Sequence, residues 1–233
     1  MNLKTASALK AVELIRNNSI IGLGAGSTMA FMVEYLADEV KNGLQIQVAS
    51  SSFSTRELLL QKGFKVLSIQ DIAEIDIYFD GCDLVDKNLN ALKSGGGIHT
   101  IEKLLASMAK EFILVVDTTK YVKEFNTDFP LVVEFLPQAL SFVPATVKRL
   151  FEGALTSIRF SNKKDGPVIT ENGNYLLDIK FNTWPPLDIL AASIKEIAGI
   201  VDSSLFYGLV NKVIVASTDG VTIIDNPVTK KYF

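Results

Sequence analysis

The chain has 233 residues, of which 48% are hydrophobic and 21% charged, and its formal net charge is −3. This is the composition of a globular protein able to bury a sizeable core, in one domain or in one with a smaller companion. The charge argues against a phosphate-rich polymer, so no nucleic-acid partner is expected; a single cysteine, Cys82, excludes an intrachain disulfide framework, and a single His99 cannot build a multi-histidine metal site.

In chain order, Ala8, Leu9, Val12 and Ile15 predict a helix over residues 5–17, followed by a short buried strand at Ile20–Leu23. A glycine-rich turn leads into a long helix from Ser27 to Lys41. A strand at Gln45–Ala49, a helix at Thr55–Gln61 and strands at Lys65–Ser68 and Ile75–Phe79 come next. Thr100–Lys110 reads as a helix and Phe112–Val116 as an apolar strand. Such alternation predicts an α/β fold with a mainly parallel sheet covered by helices.

After about Asn126 the pattern changes. Strands are expected at Leu131–Leu136, Thr156–Phe160 and Val168–Thr170, with a helix at Ala139–Phe151. Glu171-Asn172-Gly173-Asn174 is a hairpin turn into Tyr175–Ile179, and Leu187–Ile197 is another helix. Short strands then resume at Ser204–Leu209, Val213–Ser217 and Val221–Ile224. No run approaches the roughly 18 apolar residues of a membrane span, and the N-terminus lacks the regions of a signal peptide. A cytoplasmic protein with no membrane partner is the expectation.

The chemistry gathers in a few motifs. Gly22-Leu23-Gly24-Ala25-Gly26-Ser27-Thr28 lies between a strand and a helix. There backbone N–H groups and two hydroxyls can receive an anion, or Ser27 can simply cap the helix. The spacing is neither a dinucleotide fingerprint nor a Walker loop. The apolar run ending at Phe79 stops at Asp80-Gly81-Cys82-Asp83. Lys93, Ser94-Gly95-Gly96-Gly97 and Glu102 follow, the last just inside a helix. Either aspartate alone can be a turn former, and Glu102 alone can be an acid at the positive end of a helix. The pair, with Lys93 and the glycines, is better explained as a site for a polar substrate. Asp86 reads as a loop charge, and Cys82 between two acids as a small packed residue rather than a thiolate.

These motifs, with Ser50-Ser51-Ser52, Thr100-Ile101-Glu102-Lys103, Asp117-Thr118-Thr119-Lys120 and Thr170-Glu171-Asn172-Gly173-Asn174, stand in the order found in type A ribose-5-phosphate isomerases. The chain resembles that family over essentially its whole length. The resemblance implies a Rossmann-like sheet with helices on both faces, formed by residues 1–126 and 204–233, with 127–203 as a smaller inserted α+β domain. It implies interconversion of D-ribose 5-phosphate and D-ribulose 5-phosphate through an enediolate, without cofactor or metal. Glu102 would move the proton between C2 and C1, with Asp80, Asp83 and Lys93 handling hydroxyl protons, ring opening and oxyanion charge. Lys4, Ala25, Gly26, Ser27, Thr28, Gly81, Cys82, Ser94, Gly95, Gly96 and Lys120 would bind the phosphosugar. A homodimer or homotetramer is implied, and apolar residues such as Phe206, Tyr207 and Leu209 are candidates for subunit contacts. A non-catalytic sugar-phosphate sensor is the alternative; it need not keep Asp80, Asp83, Lys93 and Glu102 together. Ala25, Leu84, Ser94 and Ile101 depart from the common family pattern.

Overall fold

A computed structural model describes residues 2–226. Helix α1 spans Leu3–Val12, its start capped by the Asn2 side chain, which accepts from the Lys4 N–H at 3.1 Å. It is therefore earlier and shorter than periodicity predicts. β1 (Ser19–Leu23), α2 (Ser27–Lys41), β2 (Ile46–Ser50), α3 (Phe53–Gln61) and β3 (Ile75–Asp80) follow. The predicted strand at 65–68 is reduced to a bridge between Val48 and Val66, because a 3₁₀ turn at Ile69–Asp71 bends the chain away.

Two short strands, β4 (Leu84–Asp86) and β5 (Ala91–Leu92), precede α4 (His99–Met108) and β6 (Ala109–Asp117). Ala109 ends α4 by turning directly to extended backbone, so β6 begins inside the predicted helix. β7 (Tyr121–Val122), β8 (Leu131–Phe135), α5 (Phe142–Leu150), β9 (Leu155–Ile158), β10 (Tyr175–Lys180), α6 (Leu187–Lys195) and β11 (Ile200–Ser203) come next. β12 (Leu205–Phe206), β13 (Lys212–Ser217) and β14 (Gly220–Asp225) complete the described chain. The expected strand at 168–170 is only an isolated bridge, Ile169 to Tyr175. The turn after it forms as predicted: Gly173 has φ +79°, and the Thr170 N–H donates to the Asn174 carbonyl.

The main sheet runs β14-β13-β6-β3-β1-β2, parallel except for β14. Strand alternation supplies a core on each face. Ile21, Phe79, Ile113, Val115 and Ile214 pack with α1, α2 and Leu59 of α3. Tyr78, Phe112, Leu114, Val116, Val213 and Val215 pack with Leu105 and Ala106 of α4. Helices thus cover both faces, as the α/β reading requires. A second, antiparallel sheet, β11-β8-β10-β9, shares its core with α5 and α6, and a small sheet, β12-β5-β4-β7, stands beside these two.

Two minor expectations are corrected. Asp86 is buried and accepts from the Asn88 and Asn90 N–H groups and the Asn90 amide, so it shapes a turn. Phe206 is fully buried against Phe112 in the core, where it cannot meet another subunit.

Candidate active site

β1 has β2 on one side and β3 on the other. The chain order reverses there, so a crevice opens beyond the carboxyl ends of β1 and β3, where open α/β sheets hold ligands. The Gly24 N–H donates to the Phe79 carbonyl at 2.9 Å, tying the loop after β1 to the end of β3. A cavity of about 320 Å³ lies here. Its lining combines Lys4, the loop Ala25–Thr28, Gly81–Asp83, Lys93, Gly95, Gly96, Glu102, Val115–Asp117 and Lys120.

Local backbone choices open this space. Gly26 is the N-cap of α2 at φ +103°, a conformation that side-chain-bearing residues resist. No side chain caps α2, so its first N–H groups remain available to an anion. The Lys4 ammonium reaches the Ser27 hydroxyl at 3.0 Å and brings positive charge to the same end. Lys120 follows β6 and holds its ammonium 5.6 Å from the centre of the Phe129 ring.

The acids lie at two depths. Asp83 lines the cavity; its Oδ2 accepts from the Ser94 N–H at 2.5 Å and the Gly95 N–H at 3.0 Å, leaving Oδ1 for a ligand. Asp80 is fully buried behind the wall. It accepts from the N–H groups of Ala25 (3.2 Å) and Gly81 (2.7 Å) and from the Tyr78 hydroxyl (2.6 Å). Tyr78 is in turn 2.9 Å from the Ser51 hydroxyl. Ser94 also stands behind the wall, its hydroxyl donating to the Pro130 carbonyl and its N–H to Asp83. Among the sequence-selected residues, only Asp80 and Ser94 are absent from the lining.

Lys93 joins the two depths. Its ammonium lies 2.9 Å from Asp80, 3.3 Å from Glu102 and on the Gly81 carbonyl. Burial disfavours this ammonium, but the Asp80 and Glu102 charges outweigh that effect and hold its pKa above the ordinary value. Glu102 has the opposite imbalance. Burial pushes it up, Lys93 pulls it down and Asp80 pushes it up again; the result is about 8. One lysine cannot neutralise two buried carboxylates, so the second one binds protons more readily. Burial and the Asp80 charge thus prevail at Glu102 over its place at the positive end of α4.

Cys82 is pushed up to about 12, chiefly by burial, so its thiol stays protonated near neutrality. His99 is fully buried, with Nε2 3.3 Å from the Asp202 carbonyl, and packs away from the cavity. Sequence reasoning missed Val115, Val116 and Asp117 as lining and Tyr78 as the support of Asp80. Their position at strand ends around the reversal of strand order was the available signal.

The arrangement offers an uncapped helix start with flanking lysines, a half-solvated aspartate, and a dry acid–lysine–acid cluster. It suits an anionic polyol whose protons must be moved.

Comparison with known proteins agrees. The model of the ribose 5-phosphate isomerase A (phosphoriboisomerase A) family matches residues 47–220. Ribose-5-phosphate isomerase A of Methanothermobacter thermautotrophicus is 37% identical over 225 residues, covering 96% of this chain and 98% of that protein. The solved ribose 5-phosphate isomerase A of Methanocaldococcus jannaschii superposes with a TM-score of 0.89 at 34% identity, over 96% of this chain and 98% of that one. A D-ribose-5-phosphate isomerase solved in complex with phospho-erythronic acid gives 0.90 at 30% identity, over 97% of this chain and 100% of that one. The chain belongs to the ribose 5-phosphate isomerase A family.

Proposed function

We propose that the cavity at the β1–β3 reversal is where this aldose–ketose isomerase interconverts D-ribose 5-phosphate and D-ribulose 5-phosphate, with Glu102 as the base. The observation that carries the assignment is the buried contact of Lys93 with both Asp80 and Glu102, open to the cavity through Glu102 and Lys93. In the open-chain sugar, the ionised Glu102 takes the proton from C2 and returns it to C1, while the O2 hydroxyl proton passes to O1 across the enediolate. A base with a pKa near the working pH combines adequate ionised fraction with adequate proton affinity. Negative charge gathering on the enediolate oxygens meets the Lys93 ammonium and the N–H groups of the glycine loop. Asp83, through its available Oδ1, exchanges a hydroxyl proton during ring opening. Asp80 acts from behind, holding Lys93 and the Ala25 N–H in place.

Gly26–Thr28, Lys4 and Lys120 anchor the substrate as an anionic sugar phosphate, with Gly81, Cys82, Gly95 and Gly96 as close backbone walls. The sensor reading needs the anion loop but leaves the buried acid–lysine–acid cluster without a task. The division into residues 1–126 with 204–233, of which 227–233 lie outside the described residues, and an inserted 127–203 is favoured by the return of β13 to β6 and by the core that β8 and β10 share with α5 and α6, to which Leu84, Leu92 and Leu205 of the first division also contribute. No helix among the described residues is long and apolar enough to cross a membrane. A cytoplasmic location is our reading of the sequence and a homodimer or homotetramer our reading by resemblance; sedimentation at micromolar concentration tests the assembly. The function itself is tested by a direct assay of ribose 5-phosphate isomerisation with chelator and no added cofactor. Turnover is expected; its absence, or its dependence on one restored metal, would overturn the proposal.

A further inference from the structure

Glu134 of β8 is a buried carboxylate, 1% exposed, with no lysine or arginine in ion-pair contact among the described residues. A charge so placed is costly unless it is hydrogen-bonded on every side. Four neutral donors meet it. Oε1 accepts from the Thr170 hydroxyl (2.8 Å), the Asn172 amide (3.0 Å) and the Asn174 amide (2.8 Å), all in the hairpin before β10. Oε2 accepts from the hydroxyl of Thr100. Thr100 lies in the first turn of α4, two residues before Glu102, and no side chain caps that turn. Burial raises the Glu134 pKa, but these donors outweigh it and hold the carboxyl below its ordinary value. The second sheet thus grips the start of the helix that presents the proposed base.

We propose that Glu134 is a positioning residue for Glu102, acting through the hydroxyl of Thr100 to fix the first turn of α4 against β8. This rests on the reading of Glu102 as the base. The hairpin donors orient the Glu134 carboxylate, and its free oxygen then holds one point on the helix. A proton transfer from carbon tolerates little misplacement; an error of about 1 Å can cost on the order of 10²-fold in rate. His99 and Lys103 tie the same turn to Asp202 and Ser203 of β11, and the Thr100 bond adds the constraint toward β8 that completes the positioning of the base.

The test uses Thr100→Val, Glu134→Ala, the double variant and Glu134→Gln in the full-length protein. Thr100→Val removes only the bond to the helix and preserves the core shape, so it carries the test if Glu134→Ala fails to fold. Expected is a kcat loss of roughly 10–100-fold in each single variant with KM nearly unchanged. The double variant should be no worse than the singles, because both remove one interaction. Glu134→Gln, which keeps an amide oxygen for the hairpin donors, should retain most of the activity. The titration of Glu102, followed by carboxyl carbon NMR in Thr100→Val, should move toward the ordinary carboxylate value as the helix start loosens and admits water. Parental kcat with an unmoved Glu102 titration in Thr100→Val would overturn the proposal, whatever happens to the melting temperature. An inactive parent would instead refute the isomerase reading, and the Glu102 titration would still decide whether Thr100 and Glu134 position it.

Discussion

Asp80 fills the space that a side chain on Gly24 would need. A Cβ built on Gly24 would stand 1.9 Å from both Cγ and Oδ1 of Asp80. The absent side chain lets the loop after β1 lie against the carboxylate, which binds the Ala25 N–H on one side and Lys93 on the other. The second glycine of the loop motif is thus fixed by the charge cluster behind the cavity.

Gly24→Ala should consequently damage the site from behind. Asp80 is held by backbone and Tyr78 and cannot swing away without leaving Lys93. Overpacking of this kind costs roughly 1–3 kcal/mol. Chemical denaturation should show a loss on that scale, and kcat should fall even in the fraction that remains folded. A variant with parental stability and turnover would mean that Asp80 can relocate freely.

The Glu102 carboxyl makes stability depend on pH. Its ordinary value is 4.5 and its folded value about 8, so the unfolded chain gives up this proton first. The stabilising contribution is complete below the ordinary value and is lost as pH rises through the folded one. His99, lowered from 6.5 to about 4 by burial, works in the opposite direction at lower pH, so the informative window lies between about 6.5 and about 8. Urea unfolding across that window should show the parent losing stability with rising pH. Glu102→Gln should be flatter; equal slopes would place the titration elsewhere.

Lys120→Ala should weaken binding more than chemistry. Its ammonium reaches the cavity beside the Phe129 ring and is placed to meet an anion. A hydrogen bond to a charged group contributes about 1.5–3 kcal/mol, so ribose 5-phosphate should bind roughly 10–100-fold more weakly. Steady-state kinetics, read as KM and kcat/KM, measures the loss. Unchanged affinity would put Lys120 outside the anion contacts.

Much of this was legible in the sequence because the site is carried by short loops with fixed offsets from strand ends. Gly24–Thr28, Asp80–Asp83 and Asp117–Lys120 all follow apolar runs, and the parallel sheet brings such ends together. Depth was not legible. Asp80 and Asp83 look equivalent in a string, yet one is sealed by Tyr78 and Lys93 and the other faces the cavity. Short pairings also escaped: β4 and β5 are too brief to show a period, and the run at 65–68 has the composition of a strand but only one bridge. Glu134 gave no signal because its donors come from segments 34 to 40 residues away.

The most direct measurement of the central claim is kcat for Glu102→Gln together with the exchange of the C2 proton into deuterated solvent. The substitution nearly preserves shape and leaves Asp80, Lys93 and Asp83 in place, but it cannot accept the proton. With Glu102 as the base, kcat and exchange should fall together by roughly 10²–10⁴-fold, while binding of ribose 5-phosphate changes little. Near-parental exchange in a folded Glu102→Gln protein would contradict the mechanism and leave Glu102 a structural acid at the start of α4.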